Sequence, residues 1–139
     1  MTEQNADESA QKELTQKFLM FEQQIRLIQE QLQAVEQALF DLETVDVGLE
    51  ELIGKNDNEI LAPIGRGIYA KAKLISDELI VDIGGKNFVN KSIPDTQKIL
   101  KDQIEKLKKI KEDLNLEMEK INEELTRVFM ESQGKKLDN

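Results

Sequence analysis

The sequence predicts an α+β fold: a long antiparallel coiled coil of two helices joined by two β-hairpins. Three observations carry that prediction. A heptad stripe of apolar residues runs through the first third of the chain, a glycine-punctuated middle segment alternates in the manner of strands, and a second heptad stripe of matching length follows.

The first helix is expected over residues 8–53. Apolar residues stand at Leu14, Phe18, Phe21, Ile25, Ile28, Leu32, Val35, Leu39 and Leu42, in steps of 4, 3, 4, 3 without a fault. A 4-3 stripe sustained for more than four heptads is the seam of a coiled coil. Asp46 interrupts it, and Val45, Leu49 and Leu52 are expected to carry the stripe onward with a shift. Gly54 then offers a helix stop before the polar turn Lys55-Asn56-Asp57-Asn58.

Residues 59–91 differ in kind. Residues 60–64 and 68–74 flank Gly65-Arg66-Gly67 and read as a hairpin. Ile68, Ala70, Ala72 and Leu74 alternate with Tyr69, Lys71 and Lys73, which predicts one dry face. Pro63 cannot donate to a ladder, so its strand is expected at an edge. Residues 79–83 and 87–89 flank Gly84-Gly85-Lys86 and form a second hairpin.

The second helix is expected over residues 94–132. Ser92-Ile93-Pro94-Asp95 has the form of a capping box. Its seam reads Leu100, Ile104, Leu107, Lys111, Leu114, Met118, Ile121, Leu125 and Val128. Only Lys111 departs from apolar, with Ile110 placed to cover it, and Gly134 marks the end.

Two equal helices around a compact β unit close most simply as an antiparallel pair, with Leu49 near Leu100 and Phe21 near Leu125. Each buried Leu-sized side chain contributes ~1.5–3 kcal/mol, enough over two seams to offset helix ordering. Two short hairpins are marginal alone and expose their edges, so the hairpins are expected to assemble with other chains. The assembly residues are Leu61, Ile64, Ile68, Tyr69, Leu74, Leu79, Val81, Ile83, Phe88 and Val89.

Off the seam, Leu19 and Met20 stand beside Phe18 and Phe21, and Phe129 and Met130 beside Leu125 and Val128. With Leu14, these nine residues make a candidate patch at the free end for weak binding of many non-native chains. A core role accounts for Phe18 and Phe21 individually, and scattered surface hydrophobics account for the off-seam residues; their clustering is what favours a binding patch.

Composition narrows the functions. The 139 residues fit one domain, 1–139, and contain no cysteine and no histidine, so thiol catalysis and the commonest general base are excluded. No enzyme activity, cofactor or metal is expected. A net charge of −9 repels a phosphate backbone, so nucleic acid is not an expected partner. No apolar run approaches membrane length, and the polar start lacks a signal-peptide pattern, so a cytoplasmic protein is expected. Gly65-Arg66-Gly67 and Gly84-Gly85-Lys86 lack phosphate-loop spacing, and the acidic pairs Glu50-Glu51 and Glu123-Glu124 lack EF-hand spacing. Lys106, Lys108, Lys109 and Lys111 read as partners for acids of the first helix or of a neighbour.

A heptad helix, two hairpins and a second heptad helix resemble the prefoldin family. Leu61-Ala62-Pro63-Ile64-Gly65-Arg66-Gly67-Ile68 is similar to its first strand region, and Ile80-Val81-Asp82-Ile83-Gly84-Gly85-Lys86-Asn87-Phe88-Val89 to its second hairpin. The Gln-rich stretch 23–32 resembles its first helix. Gly84-Gly85-Lys86 departs slightly from the family turn, leaving the turn type open. Two hairpins look like the alpha class, and their compactness resembles its archaeal form, with a eukaryotic alpha-class subunit as the alternative. The resemblance implies an oligomeric β-barrel built from hairpins of two alpha and four beta-class subunits. It also implies ATP-independent capture of unfolded or nascent clients at the coiled-coil tips, and delivery to a chaperonin. A structural scaffold whose tips bind one dedicated partner is the alternative from another functional class.

Overall fold

The computed structural model describes the backbone of residues 2–137 and the side chains of residues 5–134. The order of elements is α1 (Thr2–Leu52), β1 (Glu59–Gly65), β2 (Ile68–Lys73), β3 (Glu78–Asp82), β4 (Phe88–Ser92) and α2 (Ile93–Leu137). They divide into two compact units, one of Met1–Gln37 with Lys108–Asn139, the other Ala38–Leu107.

The first unit is a helix pair. Ile28 is buried, while Leu14, Phe18, Phe21, Ile25, Leu32 and Val35 are half-buried; their polar neighbours are exposed. On α2, Leu114, Met118, Ile121, Leu125 and Val128 are half-buried in the same rhythm. The heptad seams thus become the covered stripes that periodicity requires. Lys111 Nζ lies 3.6 Å from Glu36 Oε1, a contact that marks the antiparallel register. Interhelical pairing therefore explains the charged seam position. Ile110 does not cover Lys111: it is 45% exposed, because a residue adjacent to a seam position is rotated about 100° from it.

Two helix limits differ from expectation. α1 begins at Thr2 rather than near residue 8, and its residues 5–13 are exposed throughout. α2 continues to Leu137, past the stop expected at Gly134. Glycine ends a helix when it adopts the left-handed conformation at the cap, and Gly134 stays helical.

The second unit joins the remaining helical segments to the hairpins. Leu39, Leu49, Ile93 and Ile104 are buried; Leu42, Leu52, Leu100 and Leu107 are half-buried. Gln97 Nε2 donates to Glu50 Oε2 at 2.8 Å, again antiparallel. Val45 does not carry the stripe. It is 50% exposed, and the 4-3 phase runs straight through Asp46, which is half-buried. Heptad phase is a property of backbone geometry, so one polar residue does not shift it. α1 ends at Leu52, and Gly54 follows in the turn at φ 76°.

Both hairpins are antiparallel and form separate two-stranded sheets. In the first, Ile60 pairs with Ala72 and Ala62 with Ala70, and a register shift falls between Pro63 and Gly65. The ladder is extended by Asp57 N–H to Leu74 O at 2.8 Å and Leu74 N–H to Asn58 O at 3.1 Å. Its turn has positive φ at Arg66 (51°) and Gly67 (77°). The second hairpin pairs Val81 with Val89 and Asp82 with Phe88. Its turn has positive φ at Gly85 (60°) and Lys86 (61°) and closes with Asn87 N–H to Gly84 O at 3.0 Å. Two successive positive φ values identify both as type I′ turns, whose twist matches that of the strands. Asp82 Oδ1 accepts from Gly84 N–H at 2.9 Å and steadies the second turn.

β4 runs directly into α2. Ser92 Oγ accepts from Asp95 N–H at 3.2 Å, the N-cap bond expected of Ser-x-x-Asp. Thr96, buried, donates to Ser92 O at 2.9 Å.

Candidate functional site

A two-stranded sheet can cover one face with its own chain and leaves the other open. In the first hairpin the partly covered face is Ile60, Ala62, Ala70 and Ala72, with Leu74 beyond it. Leu61 and Tyr69 stand on the opposite, exposed face. Ile64 and Ile68 flank the turn, and both are exposed. Ile68 was expected on the dry face with Ala70 and Ala72. It pairs with Gly65 beyond the register shift, where the alternation no longer holds.

In the second hairpin Leu79, Val81 and Val89 are half-buried, with Lys91 on the same face. Ile80 and Phe88 lie on the other face, 75% and 61% exposed, and Ile83 beside the turn is also exposed. The ten expected assembly residues therefore split. Leu61, Ile64, Ile68, Tyr69, Ile83 and Phe88 are open, while Leu74, Leu79, Val81 and Val89 are partly covered. Sequence reasoning missed Ile80, and Ile75 between the hairpins, although the period-2 alternation places Ile80 on the face of Phe88. Isolated exposed apolar residues are ordinary, whereas Ile80 and Phe88 put two large apolar side chains together on one open sheet face.

The second candidate patch belongs to the other unit. Leu14, Phe18, Phe21, Leu125 and Val128 occupy the seam and are half-buried. Leu19, Met20, Phe129 and Met130 point away from it and are exposed, Met130 by 68%. The register marked by Glu36 and Lys111 puts residues 18–21 level with residues 126–130, so both halves of the patch lie at the same height along the helix pair. Arg127 and Glu124 pair at 3.5 Å on its exposed rim. α1 extends beyond the patch toward Thr2 as a polar stretch, so the apolar residues do not form its outermost turn.

Among the described residues no cluster of His, Cys, Asp and Glu could hold a metal ion. No helix there is long and apolar enough to cross a membrane.

Comparison with known proteins agrees with this geometry. The prefoldin subunit family model matches residues 21–136. The prefoldin subunit alpha of Methanococcus vannielii is 26% identical over 110 residues, covering 78% of this chain and 74% of that protein. Prefoldin subunit alpha 1 of Methanocaldococcus jannaschii is 26% identical over 129 residues, covering 91% of this chain and 89% of its own length. In structure, a chain of the filamentous prefoldin from Methanocaldococcus jannaschii superposes with a TM-score of 0.71 at 16% identity, covering 84% of this chain and 98% of that one. Two long helices, two antiparallel hairpins and a family match across most of the sequence give one conclusion: the chain belongs to the prefoldin family, a family of chaperone subunits.

Proposed function

We propose that this chain is an alpha-class subunit of an ATP-independent holdase, working as a single domain in the cytoplasm without enzyme activity or cofactor. Its hairpins join beta-class subunits, two alpha with four beta, in a closed β-barrel. Its helical patch holds non-native proteins and passes them to a chaperonin. The observation that carries the assembly half is the exposed face of Ile80 and Phe88 with Leu61 and Tyr69. Barrel closure would pair the open edges of both two-stranded sheets, which is how such edges are removed.

Client capture rests on Leu19, Met20, Phe129 and Met130. Methionine adapts its shape at little cost, and apolar residues on a solvated helix bind exposed chain segments weakly and without sequence preference. Relatives named prefoldin subunit alpha support the alpha-class assignment.

The test has two stages. The native mass of the chain is measured with and without a beta-class prefoldin subunit, and the product is assayed, without ATP, for suppression of aggregation of unrelated denatured proteins. Two copies with four partners, and suppression, are expected. A quadruple variant, Leu19→Ser, Met20→Ser, Phe129→Ser and Met130→Ser, keeps the mass and binds clients about tenfold more weakly, a difference of roughly 1.4 kcal/mol. Unchanged suppression removes the patch from the account. A stable assembly that protects no client supports a scaffold instead.

A further inference from the structure

We propose that α1 has a built-in hinge at Thr44–Gly48, the internal turn of its paired stretch that opens first. The segment reads Thr44-Val45-Asp46-Val47-Gly48. All five residue types are poor helix formers, with glycine the weakest of all but proline, and no other five consecutive residues of α1 are all of this class. The chain is nonetheless helical here. Intrinsic preference and observed structure are therefore opposed, and tertiary contact must hold the turn in place.

That contact is weakest where it is needed. Asp46 takes the seam position between Leu42 and Leu49, where every heptad before it places an apolar residue. Its Oδ1 is buried and has no hydrogen-bond donor among the described residues. A covered carboxylate oxygen without a donor favours any opening that restores its hydration. Val45 and Val47 are exposed, so their branched side chains bring no packing in return for lost rotamer freedom. Thr44 Oγ1 donates to Phe40 O at 2.8 Å, drawing on a carbonyl of the helix ladder, a contact associated with bending.

Gly48 completes the case. A Cβ added there would meet no atom within 4 Å, and its φ is helical. Neither close approach nor a left-handed backbone requires glycine at this position, so its effect is to lower the cost of leaving the helix. Half-buried Leu42 and buried Leu49 flank the segment, which confines the opening to fewer than two turns.

The test is site-resolved amide hydrogen exchange on the full chain in its assembled form. Amides of residues 46–51, whose helical acceptors lie in residues 42–47, are expected to exchange at least about tenfold faster than those of residues 100–107. Gly48→Ala should slow their exchange about fivefold, and Asp46→Leu by at least about tenfold, with assembly mass unchanged. Equal protection along α1 in the unmodified chain overturns the hinge. So does an Asp46→Leu variant whose exchange is unaltered but which populates a second helix register, because Asp46 would then serve to fix register.

Discussion

Ile28, Leu39, Leu49, Ile93 and Ile104 are buried along the helices, while Leu61, Ile64, Ile80 and Phe88 on the hairpins face outward. The same kinds of side chain meet opposite environments in the two regions. A heptad helix presents one narrow stripe, and an antiparallel partner from the same chain covers it. A two-stranded sheet has two faces and two open edges, and a chain of this size supplies cover for one face only. Within one chain the helices therefore cover each other's stripes, while each hairpin leaves one face open.

Truncation should separate the regions most sharply. Ile28→Ala and Ile104→Ala are each expected to lower unfolding stability by about 2–4 kcal/mol, measured by denaturant titration, because each removes a covered seam residue. Ile80→Ala in the unassembled chain should change stability by less than about 0.5 kcal/mol. Similar losses at all three positions would break the comparison.

A smaller effect is expected at the second hairpin turn. Lys86 holds φ at 61°, a left-handed conformation that asparagine tolerates better. Lys86→Asn should raise thermal stability by about 0.5–1 kcal/mol without altering assembly. No gain would mean that the turn is held by its surroundings rather than by local preference.

The smallest effect belongs to the interhelical ion pair. Lys111 and Glu36 are 40% and 59% exposed in their side chains, so solvent screens them. Glu36→Gln should cost at most about 0.2–1 kcal/mol, and less in high salt. A larger, salt-insensitive loss would show that the pair fixes register.

The order of elements and nearly every seam residue were legible in the sequence, because a 4-3 period can be satisfied by little else. Val45 was misplaced because apolar character was followed where backbone phase governs, and Asp46 keeps the phase. The overrun past Gly134 was not legible, since glycine alone does not say whether its φ turns positive. Lys86 hid the type I′ turn because lysine is unusual there. For the candidate patch, periodicity correctly separated the exposed Leu19, Met20, Phe129 and Met130 from the half-buried Phe18 and Phe21. Ile80 was missed because strand reading favoured the covered face, whereas Ile80 stands on the open one.

The most direct test of this division is the native mass of an Ile80→Asp, Phe88→Asp variant mixed with a beta-class prefoldin subunit, alongside its helicity by circular dichroism. Both side chains stand on an exposed face, so the charges meet no packing in the isolated chain. The account predicts unchanged helicity and loss of the mixed assembly. An intact assembly would contradict the assignment of this face to subunit contact, and lost helicity would contradict the independence of the seam from the hairpins.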